Sequence, residues 1–362
     1  MTEWLAGNRI IGTSAEKPIA SLQSPSVGGW VEVARHKLGS DQSTIDVSWT
    51  EDKRYYMILM DYTQTSDFSG LHRLGNSSID PNNNYHNRQS SNGATDASSQ
   101  ATYVRLDNGW QSGDRKFVVE YIADLANKEK LIINHMVRSV GTGAGTATQR
   151  SEVVSKWVPS TASDTIGVFQ MMNGGNYAGD SEVVVLGWSP TDTHTTNFWE
   201  ELANVDYQGG SALVASTPTF ASKKYLWVQA YVKQASGYAS GMTFNGDTTR
   251  GSTNYAFRYS ANGGADATPH ENTWASIKNY SSLAGGGYFF NAFIINNASN
   301  EKLVIGTTSE NPATGAGTSP NTMQTSAKWN DATNPITKVN IIGENGSGNI
   351  SNGTQIRVWG SN

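Results

Sequence analysis

The 362-residue chain repeats itself once, at the scale of a whole domain. Lys53-Arg54-Tyr55-Tyr56-Met57-Ile58 returns as Lys223-Lys224-Tyr225-Leu226-Trp227-Val228, and Asn92-Gly93-Ala94-Thr95-Asp96 as Asn262-Gly263-Gly264-Ala265-Asp266. Thr142-Gly143-Ala144-Gly145-Thr146 returns as Thr314-Gly315-Ala316-Gly317-Thr318. The offset between copies is 169 at Trp30 and Trp199, 170 at Asn84 and Asn254, 172 at Glu129 and Glu301, and 173 at Val185 and Val358. So small a drift means a few short loop insertions in a collinear duplication. Solenoid and propeller repeats run at roughly 20–50 residues, far below this period. Each copy is domain-sized instead, and roughly 160 residues can bury about 70% of their unfolded surface. The chain therefore divides into an N-terminal arm over 1–28, a first repeat over 29–189 and a second over 197–362. The polar stretch Ser189-Pro190-Thr191-Asp192-Thr193-His194-Thr195 between the repeats has the composition of a linker.

The strand signals come in pairs, one per copy. Tyr55–Met60 corresponds to Tyr225–Ala230, Lys116–Ile122 to Tyr288–Ile294, Leu131–Ile133 to Leu303–Ile305, and Ser181–Leu186 to Thr354–Trp359. All are short, β-branched or aromatic, and bounded by Gly, Asn or Ser. Asn-Gly, the strongest short hairpin signal, occurs at Asn92, Asn108, Asn173, Asn245, Asn262, Asn345 and Asn352. Two of these are matched between copies, Asn92 with Asn262 and Asn173 with Asn345, which predicts turns held by geometry. No long amphipathic helical stretch exists; Asn197–Leu202 reads as one or two helical turns. The predicted fold is all-β: two tandem, homologous β-sandwich domains of jelly-roll-like type, eight to ten strands each, behind a short extended arm.

Composition excludes several functions. Charged residues are only 16% of the chain, with Asn, Ser, Thr and Gly in their place, a mixture suited to turns and strands. Eleven Trp and fifteen Tyr argue against disorder. A net charge of −5 gives no electrostatic footprint for nucleic acid. The lack of Cys excludes disulfides and thiolate chemistry. No apolar run is long enough to span a membrane as a helix, and Met1-Thr2-Glu3-Trp4 lacks the layout of a secretory signal, so synthesis in a cytoplasm is expected.

Candidate chemistry is sparse. Of His36, His72, His86, His135, His194 and His270, none forms a metal-type pair or recurs in the other copy, and all read as exposed loop residues. Gly141-Thr142-Gly143-Ala144-Gly145 lacks the Lys-Ser/Thr of a phosphate loop and reads as a tight turn between strands. Asn245 and Asp247, with Asn254, Tyr255 and Arg258, could gather oxygen ligands around a hard cation such as Ca²⁺. The first copy has Leu74-Gly75-Asn76-Ser77 in place of Phe244-Asn245-Gly246-Asp247, so the carboxylate is missing there and an Asx-type turn explains the motif as well. Metal binding rests on Asp247 alone, and no cofactor is expected. Arg88/Arg258 and Asp96/Asp266 recur, consistent with an internal salt bridge. Lys156-Trp157 and Lys328-Trp329 recur too, and read as a Lys stem lying over an indole or a buried structural Trp ahead of a sugar platform at Trp329. A glycosidase needs two carboxylates across a cleft, and the acidic residues show no such pairing, so no enzyme is expected.

One resemblance covers most of the chain. The arm Trp4-Leu5-Ala6-Gly7-Asn8-Arg9-Ile10-Ile11-Gly12-Thr13-Ser14 resembles the opening of proteins encoded by tailed phages of marine bacteria. In the second copy, Phe244-Asn245-Gly246-Asp247, Asn254-Tyr255-Ala256, Arg258-Tyr259-Ser260, Asn262-Gly263-Gly264 with Asp266, and Asn300–Gly306 are similar to that family's recurrent motif string. Glu152-Val153-Val154 with Lys156-Trp157 fits it in the first copy, which departs from the pattern at Leu74–Ser77 and has a longer polar loop over Ile79–Asn84. The resemblance implies a virion structural component: a capsid decoration, head-fibre or tail protein, made in the host cytoplasm and residing in the particle. Its partners would be other virion proteins and copies of itself, contacted through sandwich flanks and through the arm residues Trp4, Leu5, Arg9, Ile10 and Ile11. Two alternatives stay open, a glycan-binding module for host attachment and a double-jelly-roll major capsid protein. No nucleic-acid or membrane partner is expected.

Overall fold

The computed structural model describes residues 3–4, 10–11, 29–107, 112–161, 163–192, 196–234, 239–248, 252–278, 286–311, 315–344 and 350–362, with Asn173 described in its backbone only. Two compact units divide the chain. The first is Met1–Ser91, Thr95–Met136 and Ser151–Glu200; the second is Asn92–Ala94, Val137–Arg150 and Glu201–Asn362. Every regular element among the described residues is a strand.

The arm and first repeat supply β1 (Glu3–Trp4), β2 (Ile10–Ile11), β3 (Val31–Lys37), β4 (Gln42–Ser48), β5 (Tyr55–Thr63), β6 (Leu71–Gly75), β7 (Tyr85–Ser91), β8 (Ala97–Ala101), β9 (Val104–Arg105), β10 (Arg115–Ala123), β11 (Lys130–Arg138), β12 (Gln149–Trp157), β13 (Val168–Tyr177) and β14 (Glu182–Trp188). The second repeat supplies β15 (Glu200–Tyr207), β16 (Val214–Ser216), β17 (Tyr225–Lys233), β18 (Ser240–Phe244), β19 (Tyr255–Ala261), β20 (Ala275–Lys278), β21 (Gly287–Ile295), β22 (Lys302–Glu310), β23 (Asn321–Trp329), β24 (Val339–Gly343) and β25 (Thr354–Ser361).

The duplication is legible in the sheet orders. In the first repeat an eight-stranded sheet runs β3-β14-β5-β10-β11-β12-β7-β8 and a four-stranded sheet β4-β13-β6-β9. In the second, a seven-stranded sheet runs β15-β25-β17-β21-β22-β23-β19 and a four-stranded sheet β16-β24-β18-β20. Under the sequence offsets these orders coincide strand for strand; among the described residues only β8 has no counterpart strand. The fold is thus all-β, two tandem β-sandwiches. Among the described residues their twelve and eleven strands exceed the eight to ten read from sequence, because two- and three-residue strands such as β9 and β16 leave no periodicity to detect.

Each sandwich has its own core. Tyr56, Ile58, Met60 and Tyr62 of β5 alternate inward against Val118, Phe169, Met171, Val183 and Val185. Leu226, Val228, Ala230 and Val232 do the same on β17 against Phe290, Ala292, Ile341 and Val358. Period-two alternation puts one set on the core face, and full burial of such a side chain contributes about 1.5–3 kcal/mol. In β5 the other face, Met57 and Leu59, is buried as well, which is why this strand reads as an unbroken apolar run.

Three readings are corrected. Asn197–Leu202 is not helical: Glu200 opens β15, where Ala203 turns inward and Asn204 outward against β25. Asn173-Gly174 is not a turn but lies within β13, at a register shift between Met172 and Tyr177. A Cβ on Gly174 would sit 2.4 Å from the Phe68 ring, so this glycine serves close approach. The histidines are not loop residues as a group: His36, His72, His86 and His135 lie on β3, β6, β7 and β11, and His72 is fully buried. The matched turns hold: Asn92 and Gly93 have φ of 53° and 72°, Asn262 and Gly263 of 50° and 71°, the left-handed pair of a primed β-turn, closed in the second copy by the Gly264 N–H on the Ala261 carbonyl at 2.9 Å. Asn108, Asn345 and His194 lie outside the described residues. In the arm, Glu3–Trp4 pairs antiparallel with Ile10–Ile11; Leu5, Arg9 and all arm side chains lie outside the described residues.

Candidate functional site

The second unit carries a cleft of about 500 Å³ where β18 ends and β23 ends. The turn after β18 contributes Asn245 and Asp247, the run into β19 contributes Asn254, and Trp329 closes β23. Asp331 and Asn334 complete the rim. Four of the six residues singled out from sequence thus meet here, Asn245, Asp247, Asn254 and Trp329. Tyr255 lies directly behind them, fully buried, its hydroxyl accepting the Phe244 backbone N–H at 3.1 Å and hydrogen-bonding to the Asp247 carboxylate. Burial holds its phenol well above the usual range, and the Asp247 charge adds to the rise. Arg258 is elsewhere, on the outer face of the large sheet, where it donates to the Thr148 carbonyl at 2.9 Å.

The cleft is polar and pre-organised. Asn245, at φ 54°, donates to the Pro335 carbonyl (2.9 Å) and accepts the Thr337 N–H (2.8 Å). Ser252 donates to Asp247 at 2.6 Å. Asp331 accepts from the backbone N–H groups of Thr333 and Asn334 and from both their side chains, at 2.8–2.9 Å. Burial opposes its charge, but these donors win and lower its pKa to about 2. Trp329 is 5% exposed and packs on Phe244, with the Lys302 ammonium 5.6 Å from its ring centre. The recurring Lys-Trp pair is therefore not a lysine lying over its neighbouring indole. Adjacent strand residues point to opposite faces, and Lys328 leaves by the other one.

The first unit has a smaller cleft, about 230 Å³, at the corresponding place. Asp80 replaces Asp247 there: its carboxylate accepts from Trp157 Nε1 and Asn84 at 2.9 Å and from the Asn82 N–H at 2.9 Å. Burial opposes the charge on Asp80 too, and hydrogen bonding, from Trp157 foremost, lowers its pKa. Tyr85 repeats the Tyr255 arrangement, accepting the Leu74 N–H at 3.0 Å across the same eleven-residue spacing. Sequence reasoning missed Asp80, Asp331 and Asn334. Asp331-Ala332-Thr333-Asn334-Pro335 carries an Asx-turn composition that could have marked the rim.

Elsewhere the buried polar groups form internal pairs. His72 Nε2 meets Glu120 at 2.9 Å with both fully enclosed, Lys116 meets Asp107 at 3.0 Å, Lys130 meets Asp124 at 2.9 Å, and Lys278 meets Glu310 at 3.1 Å. Enclosed pairs of this kind offer a substrate no access. Among the described residues no three His, Asp or Glu side chains group as metal ligands, so Asp247 has one carboxylate neighbour in its cleft, Asp331, and no cage.

No family model matches the chain, and no curated protein matches it. Among solved structures, the LG4-5 domains of the mouse laminin α1 chain are similar over 91% of this chain and 90% of their own, at 9% identity and a TM-score of 0.19. The LG1-3 region of the laminin α2 chain is similar over 88% of this chain and 64% of its own, at 8% identity and the same TM-score. At such scores, function rests on this chain's own residues.

Proposed function

We propose that the chain is a non-catalytic structural component of a bacteriophage particle, a capsid decoration, head-fibre or tail protein. The observation that carries this reading is a strip of large apolar side chains on the outer face of the first large sheet. Leu131, Ile133 and Val154 are 59%, 50% and 48% exposed on the adjacent strands β11 and β12. Contiguous exposed apolar surface marks a contact site for another protein. The resemblance of the motif string to that of phage-encoded proteins supplies the setting. Partners are copies of the chain and other virion proteins. Mass spectrometry and cryo-electron microscopy of purified particles test the reading; absence of the chain from them would sink it. Deletion of residues 1–25 is expected to abolish incorporation, and normal incorporation would refute the role of Trp4, Leu5, Arg9, Ile10 and Ile11.

The second reading, a glycan-binding host-attachment module, is favoured by the cleft at Asn254, Asp247, Asp331 and Asn334, whose polar groups suit sugar hydroxyls. Against it, the buried Trp329 offers no open ring for a sugar to stack on. Binding of the chain to a glycan array, lost in Asp247→Ala, would replace the structural reading with this one.

A further inference from the structure

The exposed strip has a buried twin, and the comparison identifies what covers it. In the second unit the counterparts of Leu131 and Ile133 are Leu303 and Ile305, which are 0% and 8% exposed. They pair across strands with Lys328 and Ser326. Both of those residues are gripped by the segment Val137–Arg150, which belongs to the same unit. Lys328 donates to the carbonyls of Val140 (3.2 Å) and Gly141 (3.1 Å). Glu301 accepts the Gly143 N–H. Thr148 Oγ1 meets the Ser326 hydroxyl at 2.9 Å. Arg150 binds Asp266 through two nitrogens, at 3.1 and 2.8 Å. The segment is accordingly buried at Ala144, Ala147, Thr148 and Arg150.

Both halves of this contact occur a second time in the chain, and both are bare. The face recurs as Glu129, Leu131, Ile133, Val154 and Lys156, with Arg88 and Asp96 beside it. Lys156 and Glu129 pair with each other at 3.0 Å, their side chains 44% and 48% exposed. The covering segment recurs as Gly315–Thr322, of which Gly315 to Pro320 are all exposed. The differences between the two versions are matched. Where the filled contact sets Thr148 against Ser326, two hydroxyls, the bare halves offer Pro320 and Val154, two apolar groups. Arg150 becomes Thr322, so the buried arginine pair is absent, and Asp96 keeps Arg88 at 3.6 Å just as Asp266 keeps Arg258 at 3.5 Å.

We propose that the turn Gly315–Thr322 of one chain docks on the Leu131/Ile133/Val154 face of a second copy. The Gly315 N–H would meet Glu129, as Gly143 meets Glu301, and Pro320 would cover Val154. The two surfaces differ, so the contact is heterologous: each chain offers one turn and one face, and copies join head to tail into rings or filaments. Lacking the arginine pair, the contact is weaker than its filled twin and reversible. The inference rests on the assembly role for its biological setting only; self-association of the purified chain and incorporation into particles are measured separately and can fail separately.

The test uses sedimentation velocity of the full chain and of two variants at exposed positions, Ile133→Glu on the face and Ala316→Arg on the turn. At about 10⁻⁴ M, where contacts at the small end of the interface range populate, the wild type should form a concentration-dependent series of oligomers. Each variant alone should sediment as a monomer, at least about tenfold weaker in association, with an unchanged circular dichroism melt. Mixed, the two variants should form 1:1 dimers and nothing larger, since only one productive turn-face pair remains. A monomeric wild type, oligomers indifferent to both variants, or a mixture that stays monomeric would each overturn the proposal.

Discussion

The recurring tyrosines Tyr85 and Tyr255 offer the sharpest test of how the duplicated sandwiches are held. Each is fully buried beside its cleft, and each hydroxyl accepts a backbone N–H eleven residues upstream, from Leu74 at 3.0 Å and from Phe244 at 3.1 Å. Replacement by Phe keeps the ring and its packing but removes the acceptor. An N–H left unsatisfied in a buried site costs about 1–3 kcal/mol. For a domain near 160 residues that corresponds to roughly 2–4 °C of melting temperature per kcal/mol, or about 2–12 °C in all. The Tyr85 hydroxyl also donates, to the carbonyls of Leu74 (2.9 Å) or Asp80 (3.2 Å), whereas that of Tyr255 binds Asp247, which keeps Ser252 as a donor. Both substitutions are therefore expected in this range, with Tyr85→Phe at its upper end. Calorimetry of the full chain gives the shift. Hydrogen exchange read by mass spectrometry locates it: Tyr85→Phe should lower protection around β6 and β13, and Tyr255→Phe around β18 and β24. Changes under about 0.5 kcal/mol for both variants would refute the reasoning, because surface-like substitutions produce no more than that.

Further outcomes follow from single sites. Gly241→Ala on β18 would place a Cβ 2.3 Å from Trp274 Cγ, so the ring must move; overpacking should cost about 1–3 kcal/mol, measured by denaturant unfolding. Gly263→Ala meets no atom within 4 Å, yet its φ of +71° is strained for any L side chain, so about 1 kcal/mol is expected from backbone conformation alone. Asp331 has a folded pKa of about 2, below the unfolded value of about 3.9. Its contribution to stability is thus complete above the unfolded value and is lost as pH falls through about 2. Asp331→Asn should therefore be less stable than wild type at pH 7, with the difference closing in acid; a difference constant with pH would contradict the assignment. Asp80→Asn should behave in the same sense in the first unit.

The residues legible in advance were those whose meaning is local. Asn92-Gly93 and Asn262-Gly263 announced their turns because both central positions of a type I′ turn need positive φ, which few other residues supply. The paired runs at Tyr55 and Tyr225 announced strands through β-branched and aromatic content. Asn173-Gly174 misled, since the same dipeptide also serves where a backbone must pass close to a side chain, here Phe68. His72 misled because its partner Glu120 is 48 residues away and invisible to any local pattern. The cleft was half legible. Asn245, Asp247, Asn254 and Trp329 were named from motif and recurrence, but Arg258, equally recurrent, faces the other side of the sheet.

The sequence alone determined the duplication, its register, and the all-β character of both copies, because offset and strand content are properties of the chain read in order. Tertiary structure decided how equivalent residues differ in circumstance. Lys328, Leu303 and Ile305 are buried while Lys156, Leu131 and Ile133 stand exposed, although the two sets are nearly the same in sequence. Burial is set by what packs against a face from elsewhere, and no repeat carries that information within itself.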